Sequence, residues 1–315
     1  MKTNSAARST GSSHRIPITT RLKRDWQVYV LLLPGILYFI IFHYIPLYGI
    51  QIAFKDFKVS QGIMGSPWIG FENFTTFFNS YLFGRLISNT LLLNLFDLLW
   101  GFPIPIILAL MLNRIRQERF KKFTQTVIYI PHFISTVVMA GMLYIFLSPS
   151  SGIINRLIQF LGGDSIYFMA EAGWFRTVYI ASGIWQSAGW NTILYIAALT
   201  SVDTELYEAA TLDGANILQK IRHIDLPSVL PIAVMMLILN CGKIMGGDTQ
   251  KALLLQTSSN LTNSEIIGTY VYTVGLGQAK YSYTAAIGLF QNVIGFIMIM
   301  TVNSVSKKLS SVGLF

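Results

Sequence analysis

Apolar residues in this chain come in long unbroken runs rather than in stripes. A helix needs roughly 20 residues to cross a hydrocarbon core of about 30 Å. Six stretches are apolar over such a length: Gln27–Phe54, Leu86–Asn113, Phe123–Leu147, Thr177–Thr200, Ser228–Met245 and Tyr281–Val305. Runs such as Leu31-Leu32-Leu33 and Ile297-Met298-Ile299-Met300 do not alternate in polarity. That argues against a membrane β-barrel, whose strands are about 10 residues long and alternate. The pattern predicts an all-α, polytopic membrane fold with six transmembrane helices. Pro34, Pro46, Pro103, Pro105 and Pro131 fall inside the runs. In a bundle, neighbouring helices satisfy the carbonyls that a proline frees, so these prolines predict kinks rather than ends.

Composition agrees. Of 315 residues, 53% are hydrophobic and 12% charged, with a mean hydropathy of +0.53. A soluble domain carries about 25% charged residues, and a disordered chain would lack this much apolar surface. Residues 1–25 are rich in Ser, Thr and Arg and lack the short apolar core of a secretory signal. They read as an uncleaved cytoplasmic tail, followed by a membrane domain over 26–309 and a second tail over 310–315.

Charge supplies the orientation. The chain has 23 Lys+Arg against 14 Asp+Glu, a net +9. Six of the cations lie in the N-terminal tail and five follow the second run (Arg114, Arg116, Arg119, Lys121, Lys122). Two more follow the fourth run (Lys220, Arg222) and two close the chain (Lys307, Lys308), so fifteen of the 23 fall on one side. The positive-inside rule puts that side, with both termini, in the cytoplasm. The external side receives Lys55–Arg85, Ser148–Arg176 and Gly246–Lys280. Such a distribution faces anionic lipid rather than nucleic acid. The single cysteine, Cys241, excludes a disulfide framework. The four histidines (His14, His43, His132, His223) show no i, i+4 pair that would suggest a metal site. No Gly-rich phosphate loop ending in Gly-Lys-Ser/Thr occurs, nor a nucleophile elbow. The expectation is a non-enzyme with no cofactor and no metal on this chain.

One cytoplasmic segment reverses the local sign. Between the fourth and fifth runs lie five acids, Asp203, Glu205, Glu208, Asp213 and Asp225. Asp203 with Glu205 and Glu208 predicts a helix start, where acids complement the dipole. Ala209 and Ala210 keep one face small, and Gly214 predicts a sharp stop at positive φ. A second amphipathic run follows (Ile217, Leu218, Ile221, Ile224 against Lys220 and Arg222), and Pro227 suits the entry of the next helix. On physical grounds alone this is either a solvated connector or a docking element.

The spacing of this segment resembles the EAA loop of binding-protein-dependent ABC importer permeases. Glu208-Ala209-Ala210, three residues, Gly214, nine residues, Ile224, one residue, then Leu226-Pro227 matches every fixed position. The resemblance extends from the first run to the last. Trp190-Asn191-Thr192-Ile193 leading to the loop is similar to the sugar-importing branch. Pro131-His132-Phe133-Ile134-Ser135 and Thr269-Tyr270-Val271-Tyr272 resemble the subgroup importing oligosaccharides released from polysaccharides. The resemblance implies a bacterial plasma-membrane complex: a second homologous permease (a heterodimer), two cytoplasmic ATPase subunits that bind ATP and Mg, and an external sugar-binding protein. It also implies that Glu208, Ala209, Ala210, Asp213, Gly214, Ile224, Leu226 and Pro227 form the contact through which the ATPase moves the bundle.

Other residues carry less distinctive patterns. Asp97 sits in the middle of the second run, where a charge is costly and usually functional. It faces a polar cavity, pairs with a cation such as Lys243, or is neutral and hydrogen-bonded. Asn89, Asn94, Asn191 and Asn240, with Tyr195 four residues from Asn191, are candidates for the substrate path. Their alternative is to tie helices together. Gly242, Gly246 and Gly247 suit close helix packing. Gly246–Lys280 is a candidate surface for the binding protein, with Gly268–Gly277 either a short external helix or a re-entrant segment. The principal rival is an ion-coupled secondary transporter, which needs intramembrane charges and commonly a repeat. A scaffold or membrane enzyme ranks behind it.

Overall fold

The structure, a computed structural model, describes residues 24–310; apart from loops and one isolated bridge between Lys55 and Trp68 it is helical. Of the expected tails over 1–25 and 310–315, residues 1–23 and 311–315 lie outside the described residues. The chain divides into two compact units, residues 1–51 and 52–315.

The described part of the first unit is helical. It belongs to α1, Trp26–Phe54, which contains Pro34 and a π turn at Ile40–Tyr44. None of the side chains in Trp26–Phe39 is buried. The Tyr38 ring packs on Phe42 and His43 one turn further on.

The second unit is built on α2 (Phe83–Arg114), α3 (Glu118–Phe133), α4 (Thr136–Phe146), α5 (Ile153–Phe160), α6 (Ala172–Thr200), α7 (Thr204–Leu212), α8 (Ile217–Gly242), α9 (Thr249–Leu255), α10 (Ile267–Tyr272) and α11 (Tyr281–Ser310). Among the described residues four helices, α1, α2, α8 and α11, are long and apolar enough to cross a membrane. The third apolar run forms the pair α3 and α4, bent by 99° at its break. The bend falls at Pro131-His132-Phe133-Ile134-Ser135. Pro131 sits in a 3₁₀ turn, and the Ser135 hydroxyl accepts the Val138 N–H to start α4. The fourth run forms α6, 29 residues long. It is not among the four, and its polar face, described below, is the reason.

α6 is the hub, packed on α2, α8 and the break after α3. At Gly189 of α6 an added Cβ would run into the Ile128 carbonyl of α3, so the absence of a side chain permits this approach. His132 then stacks on Trp190 with ring centroids 4.4 Å apart and planes 6° from parallel. The Gln186 amide donates to the Ile134 carbonyl at 2.7 Å. Gly189→Val therefore forces two helices apart, and overpacking of this kind costs about 1–3 kcal/mol. The expected result is a lower midpoint for heat-induced aggregation of the detergent-purified protein, whereas Gly141→Val, with nothing within 4 Å of its added Cβ, leaves the midpoint unchanged.

Two expectations change here. The fifth apolar run was expected to start at Ser228, with Pro227 at its entry; the helix instead starts at Ile217. Asn216 and Gln219 cap it reciprocally, side chain to backbone, in a capping box. The chain then continues through a π turn at Ile221–Asp225 into the segment carrying Pro227, so Pro227 lies inside a continuous helix. The wider turn accommodates a residue that lacks an N–H. The segment Gly246–Lys280 is also less of a surface loop than expected. Ala252, Leu255, Ile266 and Ile267 are fully buried in the core. Thr269 of the Thr-Tyr-Val-Tyr motif caps α10, accepting the Ile266 N–H at 3.1 Å, so that stretch builds packing. Gly242 does serve close packing: a Cβ on Gly295 of α11 would meet its carbonyl at 2.6 Å. Gly246 and Gly247 lie in the turn beyond α8, and Gly247, at φ 84°, brings that turn close to α2, since an added Cβ would meet the Asn94 Oδ1 at 3.0 Å.

Candidate functional site

The acidic segment folds as α7, a helix of nine residues. Its start is set by Asp203, whose carboxylate accepts the Glu205 N–H at 3.0 Å. Its end is a Schellman turn: Ala215 N–H donates to the Ala210 carbonyl at 2.8 Å and Gly214 N–H to the Thr211 carbonyl at 3.1 Å. Gly214 has φ 75°, the conformation for which glycine is favoured. An added Cβ there meets nothing within 4 Å, so the constraint is the backbone angle, not space.

Glu208, Ala209, Asp213 and Gly214 are exposed, while Ala210 and Ile224 are half-buried. Leu226 and Pro227, on the first turns above the π turn, are exposed as well. Glu205, Glu208, Ala209 and Leu212 share one helical face. Large apolar side chains on and near α7 are exposed as well: Leu206 is 54% exposed and Leu212 89%, and Leu218 at the start of α8 is 76% exposed. Sequence reasoning did not single out the exposed Leu206 and Leu212, although both are plain in the chain. An exposed acid beside Ala209, with exposed leucines on the same helix, is what a partner's cation and cleft would engage.

The inner side of α7 is anchored. The Tyr207 hydroxyl donates to Asp225 at 2.5 Å, and Asp225, fully buried, also pairs with Arg114 at the end of α2. Burial, then the hydrogen bond to Asp225, push the Tyr207 phenol up to about 12, so it remains a donor at neutral pH.

A second candidate is a cavity of about 790 Å³ among α2, α6, α8, α11 and the start of α9. Asn94, Asn191, Tyr195 and Asn240 all line it. Asn89 does not: its amide donates to the Thr262 and Glu265 carbonyls at 2.8 and 3.1 Å and accepts from Arg176 at 3.0 Å. It ties α2 to α6 and to the segment before α10. Asp97 lines the cavity, as does Lys243. Lys251 of α9 comes close as well: an added Cβ on Gly183 would meet Lys251 Nζ at 2.5 Å and Asp97 Oδ1 at 3.8 Å. Lys251 is 5% exposed, with Nζ 3.8 Å from the centre of the Tyr179 ring. Asp248 caps the same helix, accepting the Lys251 N–H at 2.9 Å. Gln186, Ser187, Gln291 and Asn292 add uncharged groups to the wall. The helical spacing of Gly183, Gln186, Ser187 and Asn191 marks one polar face of α6, which explains its low hydropathy. Two acids, two lysines and many amides give a polar wall able to hydrogen-bond a polyhydroxylated solute. Among the described residues no group of three or more His, Cys, Asp or Glu side chains is arranged to hold a metal ion.

Comparison with known proteins places this geometry. Residues 101–311 match the family described as binding-protein-dependent transport system inner membrane component. The chain is 44% identical to Protein LplB of Bacillus subtilis over 93% of its own length and 92% of that protein's. It is also 44% identical to the polygalacturonan/rhamnogalacturonan transport system permease protein YteP of the same organism, over 94% and 92%. A chain in the crystal structure of a bacterial alginate ABC transporter, in complex with an alginate pentasaccharide-bound periplasmic protein, superposes with a TM-score of 0.87 at 39% identity. The match covers 94% of this chain and 99% of that one. This chain is a multi-pass membrane permease belonging to the family of inner-membrane components of binding-protein-dependent transport systems.

Proposed function

We propose that this chain is one of two permease subunits of an ATP-driven importer for an oligosaccharide released from a polysaccharide. An external binding protein delivers the sugar and two cytoplasmic ATPase subunits supply the energy; ATP and Mg belong to those subunits. The observation that carries the reading is α7: Glu208 exposed beside Ala209, with Leu206 and Leu212 exposed on the same helix, which Gly214 stops. Six crossings are consistent with this assembly, counting the bent α3–α4 pair as one. α6 also has the length, since at 1.5 Å per residue its 29 residues reach about 44 Å. With α7 cytoplasmic, both termini are cytoplasmic, as the distribution of Lys and Arg requires.

Relatives transporting polygalacturonan or rhamnogalacturonan and arabinooligosaccharides, and a structural neighbour handling alginate, support the substrate class. The cavity gives the sugar amide and hydroxyl partners on this subunit, with Asn94, Asn191, Tyr195 and Asn240 in its wall. The reading is tested by co-purifying the chain with a second permease, the ATPase and the binding protein, then measuring ATP hydrolysis. The expected result is severalfold stimulation that needs both the binding protein and an oligosaccharide. Hydrolysis indifferent to both overturns it.

A further inference from the structure

The exposed face of α7 accounts for contact with a partner but not for how a pull on that helix reaches the cavity. Tyr207 is the residue beside Glu208, and it points the other way. Its hydroxyl reaches Asp225, which is fully buried in the π turn of α8. Asp225 is held in turn by Arg114, the last residue of α2. The Arg114 guanidinium lies 5.5 Å from the centre of the Tyr207 ring. The same knot is braced by Lys220, whose ammonium donates to the Thr211 hydroxyl at 2.7 Å. α7 and the base of α8, neighbours in sequence, are thus tied at one buried carboxylate to the end of α2, about a hundred residues earlier.

The two long helices gripped there are walls of the cavity. α2 brings Asn94 and Asp97, and α8 brings Met236 and Asn240. Arg114 is 17 residues beyond Asp97 on the same continuous element, about 25 Å along its axis. α7 itself sends no side chain into the cavity, so displacement of α7 must pass through its attachments. Loop backbone at Asp213–Asn216 is a compliant route, whereas a buried, charge-assisted knot is a stiff one. A π turn at the attachment point offers a place where the helix can change register.

We propose that Arg114, Asp225 and Tyr207 form a latch that transmits movement of the α7 helix to both cavity walls, α2 and α8. All three are positioning residues, and the inference rests on α7 being the ATPase contact.

The experiment measures sugar transported per ATP hydrolysed by the assembled transporter in proteoliposomes, with assembly verified by co-purification. Asp225→Asn is expected to raise ATP consumed per sugar at least tenfold, and Tyr207→Phe at least threefold. Arg114→Gln is expected to behave like Asp225→Asn, with Arg114→Lys restoring at least half of the normal ratio. The double variant Tyr207→Phe/Asp225→Asn is expected to match Asp225→Asn alone, because the two act through one knot. A purely structural role lowers uptake and hydrolysis in proportion and leaves the ratio unchanged; that result in assembled variants overturns the latch. Should Asp225→Asn fail to assemble, Tyr207→Phe decides, since it loses one hydroxyl and keeps the ion pair. Glu208→Lys run in parallel separates the two claims. If it abolishes stimulated hydrolysis while Asp225→Asn and Tyr207→Phe couple normally, the latch alone fails. If it behaves as wild type, the reading of α7 fails and the latch with it.

Discussion

Glu208→Lys abolishes binding-protein-stimulated ATP hydrolysis and sugar uptake while leaving the permease folded. Glu208 is exposed on α7, and among the described residues no ion pair engages it. A surface substitution of this kind changes the stability of the isolated chain by no more than about 0.5 kcal/mol. The effect therefore has to arise at the partner. In the proposed assembly the ATPase encloses the carboxylate, and a buried ion pair that loses one member costs about 3–5 kcal/mol, a factor of about 10² or more. Reversing the sign adds repulsion between like charges. Gly214→Val reaches a similar end by another route. With φ at 75°, a β-branched residue is an outlier, so the Schellman turn opens and α7 loses its end. Melting curves separate the two, because Gly214→Val lowers the stability of the purified chain and Glu208→Lys does not. Wild-type stimulation in both variants would remove α7 from the mechanism.

Lys251→Met lowers sugar uptake at least tenfold with the α7 contact intact. Lys251 is almost wholly buried at the cavity, over the Tyr179 ring and acting on both Asp97 and Asp248. Removing the ammonium leaves two carboxylates facing a partly desolvated wall without that counter-charge, which is costly whether or not sugar is present. The added variant Asp97→Asn/Lys251→Met removes one of those charges and is expected to recover a measurable part of the loss. Such non-additivity identifies residues acting as one unit. Uptake by Lys251→Met at the wild-type rate would show that the charge cluster is incidental to transport.

Much of the fold was legible because membrane spans announce themselves by composition over 20 or so residues. Gly214 was legible because a helix stop at positive φ is a local requirement that few residues meet. What escaped depended on contacts between distant segments. Asp225 read as one of five acids in a loop, and only Arg114, brought in from α2, makes it a buried anchor. Lys243 was one cation considered for Asp97; Lys251 joins both at the cavity because α9 folds back into the core through Ala252 and Leu255.

Two misses were readable in principle. Asn216 and Gln219 are spaced as a capping box, which places the start of α8 well before Pro227. Asn89 and Asn94 are five residues apart and so lie on different faces of α2, whereas Asn94 and Asp97, three apart, share one. Helical spacing alone separates the asparagine that ties helices from the one that lines the cavity.

The central claim, that ATP drives transport through α7, is tested most directly by uptake into proteoliposomes holding the complete transporter. The account predicts uptake that requires ATP on the α7 side and binding protein on the other. It predicts no change when proton and sodium gradients are collapsed, and loss of uptake in Glu208→Lys. Uptake driven by a proton or sodium gradient in the absence of ATP would contradict it.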